Sequence, residues 1–315
     1  MNVPAHITAS APGSAFIIGE HAVVYGHPAM VCAIEGRVKL HAAPRSDGML
    51  SIRSDLAGPG RFRMKDLKPA GPYRFIRAAL ALFAAQLPGG VEVSVASDIN
   101  PAVGLGSSAA VTIAALGAFA RLAGGGTDGL HTRALRIVRT IQGRGSGADL
   151  AASLTGGLLA YRLPEEMLIA APDRVRAEMA ALPAPPALAL GYCGYKMPTA
   201  EVLAKIAVAR AGNRAFHDAL YTRMGAGAAA AIAAARARDW QAFARALNAY
   251  QGMMEQLGVS DGTLGRLVRQ ARGTAGVMAA KISGAGLGDC VLAVGAVPDG
   301  FAPVPVASEG LKFHD

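Results

Sequence analysis

The sequence is poor in aromatic residues and in cysteine. Aromatic residues make up only 5% of the 315 residues although hydrophobic residues make up 52%, so a core has to be built from alanine, valine, leucine and isoleucine. The three cysteines, Cys32, Cys193 and Cys290, are odd in number and widely spaced. That pattern disfavours a disulfide framework or a zinc site and favours a reducing compartment.

Long hydrophobic segments are also missing. No apolar segment reaches membrane-spanning length without glycine, proline or charge, and the first residues lack the basic and then apolar pattern of a secretory signal. We therefore expect a cytoplasmic protein without a membrane partner.

Acidic residues are fewer than basic ones. The chain carries 31 lysine and arginine residues against 22 aspartate and glutamate residues, a formal net charge of +9. Because the basic residues form no dense run and few aromatic side chains are available for base stacking, we expect no nucleic-acid partner. Attraction of a small polyanion, such as ATP or a carboxylate substrate, explains the charge more simply.

The length predicts two domains, because 315 residues exceed the size at which one core stops growing. The first half is rich in strand patterns, and the second half is rich in helical patterns with a few strands. A Pro-Ala-Pro-Pro-Ala stretch at 183–187 is typical of a linker. We predict an α+β fold with domains at 1–182 and 183–315.

Periodicity predicts individual elements. Alternating apolar and polar positions predict antiparallel strands within 31–63, and strands are also expected at 91–95, 188–192, 277–282 and 290–294. Helical spacing predicts helices at 73–86, 108–122, 132–142, 150–154, 201–210, 215–236, 240–257 and 260–271. The alanine-rich part at 225–235 has no polar cluster, which is typical of internal packing or of one side of a homodimer contact.

The most informative segment is the glycine loop Pro-Ala-Val-Gly-Leu-Gly-Ser-Ser-Ala-Ala at 101–110. Glycines leave backbone N–H groups accessible to a ligand, and the start of the following helix favours an anion. The loop has neither the Gly-Lys-Ser/Thr ending of the P-loop nor the dinucleotide spacing. It therefore indicates either an unusual phosphate site or an ordinary glycine turn with a serine helix cap. The candidate phosphate-binding residues are Pro101, Gly104, Leu105, Gly106, Ser107, Ser108 and Ala109.

Three other segments bear on that choice. Residues 11–30 contain an apolar strand interrupted by Gly-Glu-His at 19–21. Residues 142–157 place Asp149 directly after a glycine-serine turn, and residues 281–290 form a second glycine loop between apolar segments.

These four segments, in this order, resemble the GHMP family of small-molecule kinases over residues 8–295. The resemblance implies a ribosomal-S5-like N-terminal domain, which carries the ATP-binding loop, joined to a ferredoxin-like C-terminal domain, with the active site between them. It further implies that ATP and Mg²⁺ are the cofactors and that the reaction phosphorylates an alcohol of a small molecule.

The resemblance assigns the chemistry to two residues. Asp149 matches the aspartate that is interpreted as the catalytic base, whereas on this residue alone a cap of the helix that begins at Leu150 is the favoured interpretation. Ser108 is the candidate Mg²⁺ ligand. The family usually adds a second metal ligand, a carboxylate from the helix before the catalytic acid. Here residues 136–142 of that helix contain no aspartate or glutamate.

A second departure lies in the first motif. The family members that act on mevalonate and phosphomevalonate typically have Ala-Pro-Gly-Lys there, but this chain has Ala-Pro-Gly followed by Ser14. Serine supplies no positive charge. We hypothesise that Lys196 reaches the site instead; the alternative is a surface lysine in an exposed turn.

Residues 19–26 indicate which molecule accepts the phosphoryl group. They resemble the first motif of members that phosphorylate mevalonate, an isoprenoid precursor. The later motifs look more like those of members acting on phosphomevalonate. We favour mevalonate; phosphomevalonate, or a catalytically impaired relative that senses a ligand, are the alternatives. His21 is also explained as an ordinary hydrogen-bonded histidine, and the loop at 283–288 as a bulged hairpin. The candidate substrate-binding residues are Ser14, Glu20, His21, Ser146, Gly147, Thr199, Gly284, Ala285 and Gly286.

Overall fold

The computed structural model describes residues 5–55, 57–100, 103–168 and 176–314. The strands are β1 (Ile7–Ile18), β2 (Ala29–Pro44), β3 (Met49–Ser54), β4 (Gly60–Arg63), β5 (Gly90–Ser97), β6 (Leu158–Arg162), β7 (Glu178–Leu182), β8 (Leu188–Lys196), β9 (Val277–Ser283), β10 (Gly288–Gly295), β11 (Ala302–Pro303) and β12 (Lys312–His314). The helices are α1 (Arg74–Ala81), α2 (Ser107–Leu122), α3 (Leu130–Gln142), α4 (Ala148–Thr155), α5 (Glu165–Leu168), α6 (Thr199–Gly212), α7 (Arg214–Ala237), α8 (Trp240–Gln256) and α9 (Gly262–Gly273), with a short 3₁₀ helix at Ala22–Tyr25.

The first sheet has eight strands. Its main order is β12-β1-β2-β5-β3-β4, and β6 pairs with β2 and carries β7. The predicted alternation is visible in β3, where Leu50 and Ile52 are buried while Met49 and Ser51 are partly exposed. Helices α2 and α4 pack on this sheet, and α2 is buried along most of its length because its small alanines permit close contact.

The second sheet has four strands in the order β11-β8-β10-β9. Helices α8 and α9 cover it, and α7 packs against α8. The alanine-rich stretch of α7 contributes Ala228, Ala231 and Ala235 to this second core. This packing fits the first of the two interpretations of residues 225–235, and a homodimer contact stays a prediction.

The chain returns to the first sheet at its last described residues. Strand β12 pairs antiparallel with β1, with Thr8 opposite His314. The α+β fold class is thus confirmed, while the boundary between 182 and 183 stays a prediction. No helix in the described ranges combines the length and the apolar character that a membrane crossing requires.

One helix is shorter than expected. The predicted helix over 73–86 ends at Ala81. The N–H groups of Leu82 and Phe83 donate to carbonyls only three residues back, which is the tightened geometry of a helix end. The Pro-Gly-Gly segment at 88–90 then leads into β5.

Candidate active site

A cavity of about 660 Å³ opens between the two sheets. Six parts of the chain line it: β1 with the turn after it, the start of α1, the glycine loop with the start of α2, the end of α3 with the turn and the start of α4, the end of β8 with the start of α6, and the loop between β9 and β10 with Asp289. The four motif segments therefore meet at one place, although they are far apart in sequence.

The glycine loop has the geometry that a backbone anion site requires. Gly104 and Gly106 lie at φ +70° and +67°, in the left-handed region that favours glycine. Gly106 precedes α2, and no side chain caps the helix. The alternative of a serine cap is therefore not what the structure shows. The first N–H groups of α2 have no intrahelical partner and lie at the cavity.

Ser14 connects this loop to the acid. Its backbone N–H donates to the carbonyl of Leu105 at 3.1 Å, and its hydroxyl donates to Asp149 Oδ1 at 3.1 Å. The contact is close, since a β-carbon on Gly106 would lie 2.1 Å from Ser14 Oγ. The backbone of the glycine loop and the Asp149 carboxylate are thus separated by one residue that contacts both.

Asp149 lies in the first turn of α4 and lines the cavity. The residue at the cap position is Gly147, at φ +86°, so Asp149 is not the helix cap. Burial raises the pKa of the Asp149 carboxyl to about 6. The Ser14 hydrogen bond and the charge of Lys196 oppose that rise in pKa, whereas the charges of Glu20 and Asp289 add to it. The carboxyl is therefore ionised at neutral pH and still basic enough to accept a proton.

The turn before Asp149 is held from behind. Tyr161 donates its hydroxyl to the carbonyl of Ser146 at 2.5 Å. His131 Nε2 lies 2.9 Å from the carbonyl of Gly147 and donates to it, because a carbonyl only accepts. Burial lowers the pKa of His131, which favours the neutral ring. These two bonds fix the backbone that presents Asp149.

Lys196 reaches the cavity from the end of β8. Its Nζ lies 3.0 Å from Asp289 Oδ1, with the lysine side chain 30% exposed and the aspartate side chain 7% exposed. A β-carbon on Gly104 would lie 3.1 Å from Lys196 Nζ. The Lys196 ammonium thus lies beside the glycine loop and not on a remote surface.

Glu20 is held by a buried lysine. Lys281 Nζ lies 2.6 Å from Glu20 Oε1, and the two side chains are 0% and 2% exposed. Tyr250 donates its hydroxyl to the Glu20 carbonyl at 2.7 Å. Glu20 Oε2 is buried and has no hydrogen-bond partner among the described residues. This orphaned acceptor belongs to a residue that lines the cavity, so it is suited to a ligand that donates a hydrogen bond.

His21 presents a second unpaired acceptor. It lies at φ +63°, an uncommon conformation for a non-glycine residue. Its Nε2 donates to the carbonyl of Ala285 at 3.0 Å, and burial lowers its pKa to about 4. The neutral ring therefore carries its proton on Nε2, so Nδ1 is an acceptor, and Nδ1 has no partner in the described part of the chain.

One described candidate residue, Gly286, is set apart from these side chains. Gly286 does not line the cavity, and a β-carbon there would lie 2.3 Å from the carbonyl of Val259. Close packing against Val259 accounts for a glycine at this position, and the contact of Gly286 with substrate stays a prediction. Pro101 lies outside the described residues. The other candidates line the cavity: Ser14, Glu20, His21, Gly104, Leu105, Gly106, Ser107, Ser108, Ala109, Ser146, Gly147, Asp149, Lys196, Thr199, Gly284 and Ala285.

Several charged residues of the site are not among those predicted from the sequence. Asp289, Arg74 and Arg144 line the cavity, and Lys281 supports it from behind. Asp289 and Lys281 lie within the second glycine-loop segment, so a search for charge inside the motifs would have found them. Arg74 carries no such signal, because it comes from the start of an amphipathic helix.

Comparison with known proteins shows the family of this chain. The family model of the GHMP kinases N terminal domain matches residues 74–157, and that of the GHMP kinases C terminal matches residues 231–299. A relative from Pyrococcus horikoshii named mevalonate kinase is 31% identical over 309 residues, covering 92% of this chain and 88% of the relative. The chain belongs to the GHMP kinase family.

Two solved structures share the fold. L. major mevalonate kinase in complex with R-mevalonate matches with a TM-score of 0.71 at 23% identity, covering 92% of this chain and 87% of that one. Streptococcus pneumoniae phosphomevalonate kinase in complex with phosphomevalonate and AMPPNP matches with a TM-score of 0.76 at 18% identity, covering 91% and 92%. At these identities the likeness concerns the fold alone.

Proposed function

We propose that this protein is a mevalonate kinase, which transfers the γ-phosphoryl group of ATP to a hydroxyl of mevalonate. The contact of Ser14 with both Leu105 and Asp149 carries the proposal, because it puts an acid of raised pKa beside a backbone anion site. Relatives at about 30% identity that carry this name support the choice of acceptor.

Asp149 is the proposed catalytic base. Its carboxylate takes the proton of the acceptor hydroxyl as that oxygen attacks the γ-phosphorus, and the bond from phosphorus to the bridging oxygen of ADP breaks, so ADP leaves with the electron pair. The hydroxyl of Ser14, which donates to Oδ1, orients the carboxylate during this step. Phosphoryl transfer needs little further covalent help, because positioning and charge neutralisation supply most of the rate.

The phosphates are proposed to lie on the loop at 104–109, where the α2 N–H groups donate to them. Lys196 is the proposed cation that offsets negative charge developing on the transferred group. Thr199, at the start of α6 beside it, is the proposed contact to substrate.

Magnesium fits the oxygen donors at the cavity. No cluster of three or more histidine, cysteine or acidic side chains suited to a metal occurs in the described ranges, but Mg²⁺ in kinases is held mainly by phosphates and water with one or two protein ligands. The Ser108 hydroxyl, in the first turn of α2, is our candidate ligand. When bound, the ion would neutralise charge on the β- and γ-phosphates.

The acceptor pocket is proposed to use the two orphaned acceptors. Glu20 Oε2 and His21 Nδ1 both need a hydrogen-bond donor, and hydroxyl groups of mevalonate supply donors. Ser146, Gly147, Gly284 and Ala285 complete the pocket wall in this proposal. We place the enzyme in the cytoplasm, which suits its three unpaired thiols, and we retain the homodimer and the domain boundary as proposals.

A coupled ADP-release assay with purified full chain, ATP and Mg²⁺ tests the function. Mevalonate, phosphomevalonate, homoserine and galactose are offered in parallel, and we expect turnover with mevalonate at least a hundredfold above the others. Asp149→Asn is the inactive control, expected to lose a factor of about 10³ or more. Turnover only with phosphomevalonate would show that phosphomevalonate, and not mevalonate, is the acceptor. Nucleotide binding without turnover on any acceptor would support the ligand-sensor alternative.

A further inference from the structure

A bulge sets the direction of the Asp289 side chain. Strand β10 pairs with β8 at Gly288 opposite Lys196 and at Cys290 opposite Tyr192, with a register shift between the two pairs. Asp289 is the residue at that shift and lies at φ +66°. Bulges next to active sites re-aim side chains, and Asp289 lines the cavity although its neighbours belong to a packed sheet.

The Asp289 carboxylate lies on the phosphate loop together with its lysine partner. A β-carbon on Gly104 would lie 2.5 Å from Asp289 Oδ1 and 3.1 Å from Lys196 Nζ. The two charged groups are themselves 3.0 Å apart. Asp289 Oδ1 is buried and makes no hydrogen bond of good geometry within the described residues, so its interaction with the Lys196 ammonium is an ion pair beside the backbone of Gly104.

The fold does not itself require an acid at this position. Glycine or asparagine adopts φ +66° with less strain than most residues, and a 7% exposed carboxylate is unfavourable unless it is paired. The charge of Asp289 also raises the pKa of Asp149, whereas that of Lys196 lowers it. A carboxylate at this position is unfavourable to bury and is not required by the backbone. Its ion pair with Lys196 therefore explains its presence.

We propose that Asp289 is a positioning residue that holds Lys196 Nζ at the Gly104 end of the phosphate loop. The inference rests on the proposed kinase function for its effect on rate, and on the ion pair alone for its effect on the lysine. Without Asp289, the Lys196 ammonium is free to turn toward water along its exposed side, and the cation is no longer held ready for the transferred phosphoryl group.

A double-mutant cycle tests the proposal. Asp289→Asn is expected to lower kcat about tenfold with KM for mevalonate within about twofold of wild type, because the lost interaction belongs to the transition state. In a Lys196→Met background, Asp289→Asn is expected to change kcat less than about twofold, since the residue acts through the lysine. Asp289→Gly is the second variant, because glycine readily adopts the φ of +66° found here. Its kcat is expected to equal that of Asp289→Asn, which would show that the loss of rate does not come from a folding defect.

A second readout does not depend on activity. Amine-reactive labelling followed by mass spectrometry is expected to modify Lys196 at least about threefold faster in Asp289→Asn than in wild type. Glu309→Gln is the matched control: its partner Lys312 lies 2.7 Å away on the surface, so labelling of Lys312 and not of Lys196 changes there, and kcat stays constant.

The outcomes separate the two proposals. The positioning role would be overturned, and the kinase proposal left standing, by either of two results with an active wild type. In the first, the two substitutions lower kcat independently, so that their effects multiply in the double variant. In the second, the Asp289 variants keep the full kcat. Absence of wild-type turnover on every acceptor would end the kinase proposal, while unchanged labelling of Lys196 would independently refute the claim that Asp289 holds it.

Discussion

Asp149→Asn should inactivate the enzyme and stabilise the fold at the same time. The pKa of Asp149 rises from 3.8 to about 6 in the folded protein, mainly because the carboxyl is buried. At about 1.4 kcal/mol per pKa unit, ionising this group in the native state costs at most about 3 kcal/mol relative to the unfolded chain. The Asp149 side chain lines the cavity and is only partly buried, and asparagine can still accept from Ser14, so we expect a gain of about 1–2 kcal/mol.

The pH dependence of this gain follows from the direction of the pKa change. Below about pH 4 the carboxyl is protonated in both states, so it contributes nothing and the variant and the wild type are equally stable. Between about pH 4 and pH 6 the unfolded chain loses its proton first, and the cost to the folded state develops. Above about pH 6 the cost is complete, and Asp149→Asn has its full advantage.

Urea denaturation of the wild type and of Asp149→Asn at pH 4.5 and pH 7.5 measures the difference in their free energy of unfolding. The turnover assay is run on the same samples. Asp218→Asn is the control, because Asp218 is an exposed carboxyl whose pKa is lowered by Arg210; that substitution should give no gain at pH 7.5. A variant at position 149 that is less stable than wild type at pH 7.5, or whose advantage is the same at both pH values, would refute the burial argument.

Three further substitutions test the architecture of the site. Ser14→Ala removes the hydrogen bond that lowers the pKa of Asp149, so kcat should fall about tenfold and the acid limb of its pH profile should move to higher pH. Gly106→Ala should raise KM for ATP at least about tenfold, because its β-carbon would lie 2.1 Å from Ser14 Oγ. Gly124→Ala is the control: Gly124 also has a positive φ, +78°, but a β-carbon there meets nothing within 4 Å, so KM for ATP should stay unchanged. Lys281→Met should lower the free energy of unfolding by about 3–5 kcal/mol in urea titrations, since it leaves a buried carboxylate unpaired.

Local patterns made part of this site predictable from sequence. The glycine loop, the acid after a glycine-serine turn and the Gly-Glu-His turn are each encoded within a few neighbouring residues, because glycine at positive φ and a helix start are local demands. The predicted Lys196 lines the cavity for a related reason: it is the last residue of a strand that the apolar run at 188–192 identifies.

Long-range pairings were not predictable in the same way. Glu20 and Lys281 are 261 positions apart, and periodicity carries no information on which buried charges meet. The direction of Asp289 depends on a register shift in the sheet, which a one-residue change of pairing would reverse. The contact of Gly286 with substrate stays a prediction, since alternate glycines in a loop do not reveal which of them faces a ligand and which packs against a neighbour such as Val259.

The charges of the cavity are divided between the two sheets, and this division has a mechanical consequence. Asp149 belongs to the helices on the first sheet, whereas Lys196 and Asp289 come from strands of the second. The second sheet is fixed to the strand and turn at 16–21 by the Lys281 ion pair, by the His21 bond to Ala285 and by the Ser283 hydroxyl bond to Phe16. The separation between cation and phosphate loop is therefore set by these buried contacts, so Lys281→Met should reduce kcat even under conditions where the variant remains folded.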